Sequence, residues 1–63
     1  MNKLNYVISP ATHFNSEHEC FETYVGVETK NKLPGQIKYK VCGKTEAESR
    51  EQAIILAEIL TKH

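Results

Sequence analysis

Four side chains of this chain could bind a soft metal or act as nucleophile and base: His13, His18, Cys20 and Cys42. A zinc site needs four donors at spacings that a local fold can converge. The intervals here match no common zinc pattern, and there is no Cys-x-x-Cys. A thiolate nucleophile needs a base and a third group that orients the base. His18 and Cys20 stand two apart with no such third group. The glutamates are spread over a helix surface and a wet strand face, and no apolar pocket is evident to raise a carboxyl pKa. The residue types therefore point to no catalytic, cofactor or metal site, and both histidines are expected in solvent.

The remaining signals are those of a binding surface. Thr45 to His63 reads as one amphipathic helix. Thr45-Glu46-Ala47-Glu48 forms a capping box, in which the Thr45 hydroxyl accepts from the Glu48 N–H and the Glu48 side chain returns to the Thr45 N–H. Glu46, Glu48 and Glu51 complement the positive end of the helix dipole, and Lys62 and His63 the negative end. At 100° per residue, Ala47, Ala53, Ile54, Leu56, Ala57 and Leu60 share a broad face that should pack on a sheet. Glu48, Glu51, Gln52, Glu58 and Lys62 lie opposite. Ile55 and Ile59 stand within that polar face at i, i+4 spacing, which makes them neighbours. A paired apolar stripe among polar residues is the first candidate contact surface, with Gln52 beside it.

The elements that must carry the helix are strands. Lys3–Ser9 is a short strand candidate ended by Pro10, and Ala11–Glu19 reads as a loop. Cys20–Thr29 is the best strand. Phe21, Thr23, Val25 and Val27 alternate with Glu22, Tyr24, Gly26 and Glu28, as in a sheet with one wet face. Lys30–Gln36 is a turn with Pro34-Gly35 in type II order. Ile37–Cys42 is the third strand.

Pairing Val27 with Val41 keeps the apolar sets on one side. It leaves Lys32–Gln36 as the loop and sets Glu28 against Lys40. That register places Cys42 near Gly26 and roughly 20 Å from Cys20, too far for a disulfide. The open face then carries Tyr24, Lys38 and Lys40 among other charges, a second candidate docking surface with Tyr24 as aromatic anchor.

The totals bound the classes. Sixty-three residues make one domain, with eight basic and eight acidic residues in balance. A chain this short is marginal alone, and a partner or a second copy would help it. The neutral balance lacks the basic excess of a phosphate-gripping domain, although Lys30, Lys32, Lys38, Lys40 and Lys44 cluster around the hairpin. No stretch is long enough to span a membrane, and no signal peptide is evident. The expected compartment is the cytoplasm of a bacterial host cell, with both thiols reduced.

From Phe21 to Leu60 the order of strand, turn, strand and helix resembles the second part of a double-stranded RNA-binding domain. Gly43-Lys44-Thr45, with Ala53, Ala57 and Leu60, is similar to that family's strand-to-helix junction. The family's first helix is missing, and its lysine pair falls at Glu46 and Ala47. The same segment resembles the three-stranded arm-binding domains of phage integrases. In size and build the chain also resembles small phage accessory proteins of the anti-CRISPR kind, which block a nuclease complex by binding it. The expectation is an α+β domain, a three-stranded antiparallel sheet with one C-terminal helix on one face. Its expected role is a non-enzymatic protein-binding module directed at a host defence complex. A nucleic-acid-binding module or a structural homodimer subunit is the alternative.

Overall fold

The computed structural model describes residues 4–62, so Lys3 of the first predicted strand and His63 of the predicted helix lie outside the described residues. The fold is α+β, with an antiparallel sheet and one C-terminal helix. The strands are β1 (Tyr6–Ile8), β2 (His13–Asn15), β3 (Cys20–Glu28) and β4 (Pro34–Gly43), and the helix is α1 (Glu46–Lys62). Among the described residues the sheet has four strands, one more than the sequence pattern predicts. The addition is β2, which falls inside the predicted loop.

The extra strand has a simple origin. β4 runs along one side of β3, while β1 and β2 lie end to end along the other. Ile8 pairs with Val25 and His13 with Glu22, so the four residues from Ser9 to Thr12 stand against only Thr23 and Tyr24. Pro10 cannot donate to a ladder, and the chain loops outward there before pairing resumes. Ser9 bridges the gap: its N–H donates to the Tyr24 carbonyl at 2.8 Å, and its hydroxyl accepts from the Tyr24 N–H at 3.1 Å. The β2–β3 turn is held by the Asn15 side chain, whose Oδ1 accepts from the N–H groups of Glu17 and His18.

The β3–β4 register differs from the predicted one. Val41 pairs with Thr23, not with Val27, and Lys40 pairs with Tyr24, not with Glu28. The loop is Thr29–Leu33, earlier in the chain than predicted, and Pro34-Gly35 belongs to β4. Lys32 takes the left-handed conformation, with φ of 61°. The Lys32 N–H donates to the Thr29 carbonyl at 2.9 Å. The pairing shifts between Val25 and Gly26 and again between Gly26 and Glu28. As a result Ile37 stands opposite Gly26 and leaves the face that carries Tyr39 and Val41.

The helix lies across the face of β3 that carries Thr23 and Val25. Val25, Ala53 and Ala57 form the buried apolar centre, with Tyr6, Ile8, Val41, Leu56 and Leu60 packed around it. Val25 is the one large apolar side chain fully buried among the described residues, worth about 1.5–3 kcal/mol. Beside it the core is polar. Ser49, on the helix, is fully buried against Thr23. Gly43 makes that approach possible, because a Cβ there would stand 2.6 Å from the Ser49 nitrogen.

Two predicted core residues are displaced by this packing. Ala47 and Ile54 are exposed, and Ile54 retains 47% of its surface. The helix rolls so that Ser49 is buried against β3, where Thr23 gives it a hydrogen-bond partner, and Ile54 is left half-exposed on the flank.

Candidate functional site

The first candidate surface is the outer face of α1. The helix starts where predicted: the Glu48 N–H donates to Thr45 Oγ1 at 3.0 Å. The return contact differs, since the Glu48 carboxylate accepts from the Lys44 N–H at 3.5 Å rather than from Thr45. With Ser49, Ala53 and Ala57 inward, Ile55 and Ile59 point away from the sheet, exposed to 44% and 50%. Gln52 is exposed as well.

The two flanks of the helix differ. On one flank Ile54, Ala57 and Thr61 line a groove of about 630 Å³ against Tyr6, Val7 and Ile8 of β1. Thr61 closes part of that strand edge, accepting from the Tyr6 N–H at 2.8 Å. The helix turns its other flank toward β4. By the helical repeat that flank carries Leu56, Gln52 and Ile59. The exposed Ile59 is therefore continuous with the half-buried Leu56, and Ile55 lies one turn from it on the outside.

The second candidate surface is the opposite face of the sheet. Here the alternation of β3 presents Cys20, Glu22 and Tyr24. The register adds His13 and Asn15 from β2, and Lys40 and Cys42 from β4. Glu22 is the centre. It is 5% exposed although it carries a carboxylate on the face away from the helix. Its Oε2 accepts from Asn15 Nδ2 at 2.8 Å and pairs with Lys40 Nζ at 3.3 Å, while Oε1 accepts from the Tyr24 hydroxyl at 3.3 Å. The Asn15 amide, then the Lys40 ammonium and the Tyr24 hydroxyl, hold the Glu22 carboxyl below its ordinary range, against the opposing effect of burial. Lys40 is pushed up in turn by Glu22.

Tyr24 is half-buried, with its ring edge-on to His13 at 5.4 Å. Tyr24 and Lys40 are thus brought together around Glu22. Lys38 sits at the pairing shift, exposed and without a ladder partner.

The corrected register also moves the cysteines. Cys42 pairs with Glu22, two residues from Cys20, so the two thiols and the Glu22 carboxylate all lie within 4.8 Å of one another. The separation of roughly 20 Å that the predicted register implied does not hold. Both cysteines are free thiols, Cys42 exposed and Cys20 half-buried. Hydrogen bonding with the Cys42 thiol pushes the Cys20 thiol above its ordinary pKa, and partial burial and the nearby Glu22 charge add to it. Sequence spacing could not reveal this cluster, because its members come from two strands whose register is set by the position of the turn and by bulges.

No helix among the described residues is long and apolar enough to cross a membrane. Comparison of the chain with known protein families, with curated proteins and with solved structures finds no match.

Proposed function

We propose that this chain is a small non-enzymatic binding module that docks onto a protein partner through the outer face of α1, with Ile55, Ile59 and Gln52 at its centre. The observation that supports this reading is the mismatch between core and surface. Three apolar residues are buried, whereas eight large ones are exposed among the described residues, three of them isoleucines of α1. Isolated exposed apolar residues are ordinary. An i, i+4 isoleucine pair continuous with Leu56 is a contact surface, because covering it removes apolar area from water at about 25 cal/mol per Å².

Charge favours a protein over a nucleic acid. The chain is neutral, and Lys40 of the lysine cluster is paired with Glu22. A phosphate-gripping surface needs free cations and binds with steep salt dependence. The resemblance to anti-CRISPR proteins directs the first assay to a bacterial nuclease complex as the partner. Capture from nuclease-treated bacterial lysate identifies the partner. Titration of the purified partner at two salt concentrations then tests the surface. Binding that survives high salt and fails with Ile55→Glu plus Ile59→Glu supports the reading. Binding that tracks salt and depends on Lys38 transfers the function to the lysine cluster. Sedimentation of the chain alone separates a hetero-partner from a second copy.

A further inference from the structure

We propose that the open face of the sheet holds a site for one thiophilic divalent cation of the zinc class, ligated by Cys20 Sγ, Cys42 Sγ and a Glu22 carboxylate oxygen. The three donors come from adjacent antiparallel strands and project from the same face. Their ligating atoms already lie within 4.8 Å of one another. In a tetrahedral zinc site with Zn–S near 2.3 Å and Zn–O near 2.0 Å, neighbouring donors are about 3.5–3.8 Å apart. The donors therefore need to approach one another by at most about 1.3 Å, a distance that side-chain rotation can supply. Two thiolates and one carboxylate form a donor set that zinc accepts, and water completes the fourth position.

The surroundings fit a cation. Glu22 receives three contacts, from Asn15, Lys40 and Tyr24. A carboxylate offers about four acceptor positions. Oε1, touched only by the Tyr24 hydroxyl at 3.3 Å, has capacity to spare. Asn15 fixes the other oxygen at 2.8 Å and so aims the carboxylate, as outer-shell partners of metal ligands do. Binding releases one proton from each thiol to solvent. The resulting group of one dication, two thiolates and one carboxylate carries a net charge of −1, and Lys40 neutralises it from beside the site. Cys42 is exposed, which gives the ion an entry path. The site lies on the sheet face opposite the helix and is independent of the docking surface proposed for α1.

The test uses the full chain, reduced with a non-thiol phosphine and freed of metal by chelation. Cobalt(II) is titrated as a spectroscopic stand-in and then displaced by zinc. The expected result is one cobalt per chain, with a sulfur-to-cobalt charge-transfer band and tetrahedral d–d bands, both lost on adding one equivalent of zinc. Zinc should also protect both thiols from alkylation, as read by peptide mass mapping of the unmodified chain, which needs no variant. Cys20→Ser and Cys42→Ser should each lose the charge-transfer intensity of one thiolate and weaken binding at least tenfold. Glu22→Gln should weaken it with the charge-transfer band retained. Absence of the band and of thiol protection in the reduced wild-type chain overturns the proposal. So does a band that survives in either cysteine variant at full intensity. A chain that forms the Cys20–Cys42 disulfide in air but binds no cobalt when reduced overturns it as well.

Discussion

Thr23 Oγ1 and Ser49 Oγ lie 2.8 Å apart where β3, β4 and α1 converge, and both residues are fully buried. Their neighbours fix which one donates. Ser49 gives its proton to the Val41 carbonyl at 3.2 Å, so it must accept from Thr23. Thr23 then accepts from Thr12 at 2.7 Å, and Thr12 accepts from Arg50 Nη1 at 3.0 Å. One directed chain of hydrogen bonds thus ties β2's leading segment, β3, β4 and the helix together. Every hydroxyl in it donates once and accepts once.

Breaking this chain should cost more than a surface hydrogen bond. Thr23→Val leaves Thr12 and Ser49 without their partner, at a cost of about 1–3 kcal/mol. Ser49→Ala leaves the Thr23 proton unpaired and should cost a similar amount. In the double variant both polar groups at the 2.8 Å contact are gone. Its loss should therefore fall short of the sum by about 1 kcal/mol. Urea denaturation of the four proteins measures this, and strict additivity would refute the directed chain.

Gly43→Ala tests the close approach beneath the helix. The added methyl would stand 2.6 Å from the Ser49 nitrogen and 2.8 Å from its Cα, both backbone atoms that cannot swing away. Overpacking of this kind costs about 1–3 kcal/mol. A thermal midpoint unchanged by Gly43→Ala would mean that the helix sits farther from β4.

The polar cluster on the other face has a pH signature. The folded-state pKa of Glu22 is lowered, first by Asn15 and then by Lys40 and Tyr24. A depressed carboxyl contributes stability above its unfolded pKa, near 4.3 for glutamate. That contribution is lost as pH falls through the lower folded value. The wild-type chain should therefore exceed Glu22→Gln in stability at neutral pH, with the gap closing on acidification below about pH 4. Denaturation midpoints of both proteins across that range check it. A gap independent of pH would show that Glu22 acts by shape alone.

Nucleic acid should bind poorly. With balanced charge and Lys40 engaged, random duplex should bind no tighter than about 10⁻⁵ M at ~0.15 M salt, within the range of nonspecific attraction. Fluorescence anisotropy reads this directly. Submicromolar binding that falls steeply with salt, and is abolished by Lys38→Glu with Lys40→Glu, would contradict the protein-binding account.

The helix and the central strand were legible because each is marked by strong local chemistry. Thr45 and Glu48 mark the helix start, no Gly or Pro interrupts it, and β3 alternates cleanly from Phe21 to Glu28. Register was not legible. The pairs Val27–Val41 and Thr23–Val41 differ by an even shift, so both keep the apolar residues on one face. Choosing between them depends on where the turn falls, at Thr29–Leu33 instead of Lys32–Gln36, and on bulges near Gly26, which leave no pattern in the sequence. The cysteine–glutamate cluster was hidden for that reason. The phase of the helix was half legible. Ile55 and Ile59 point outward as expected, but hydropathy alone prefers Ile54 to Ser49 in the core. The hydroxyl of Thr23 reverses that preference, and a strand-to-helix hydrogen bond has no signature in the spacing of either element. β2 was missed because His-Phe-Asn resembles a loop until the outward excursion at Pro10 brings it back to β3.

The central claim rests on Ile55 and Ile59, and calorimetric titration of the purified partner with wild-type chain and with Ile55→Glu plus Ile59→Glu tests it most directly. Both side chains face away from the core, so the double variant should keep its circular dichroism and lose no more than ~0.5 kcal/mol of stability. Placing two carboxylates in an apolar contact should weaken partner binding by about 2 kcal/mol or more, roughly thirtyfold in Kd. A folded double variant that binds the partner with unchanged Kd would contradict the account.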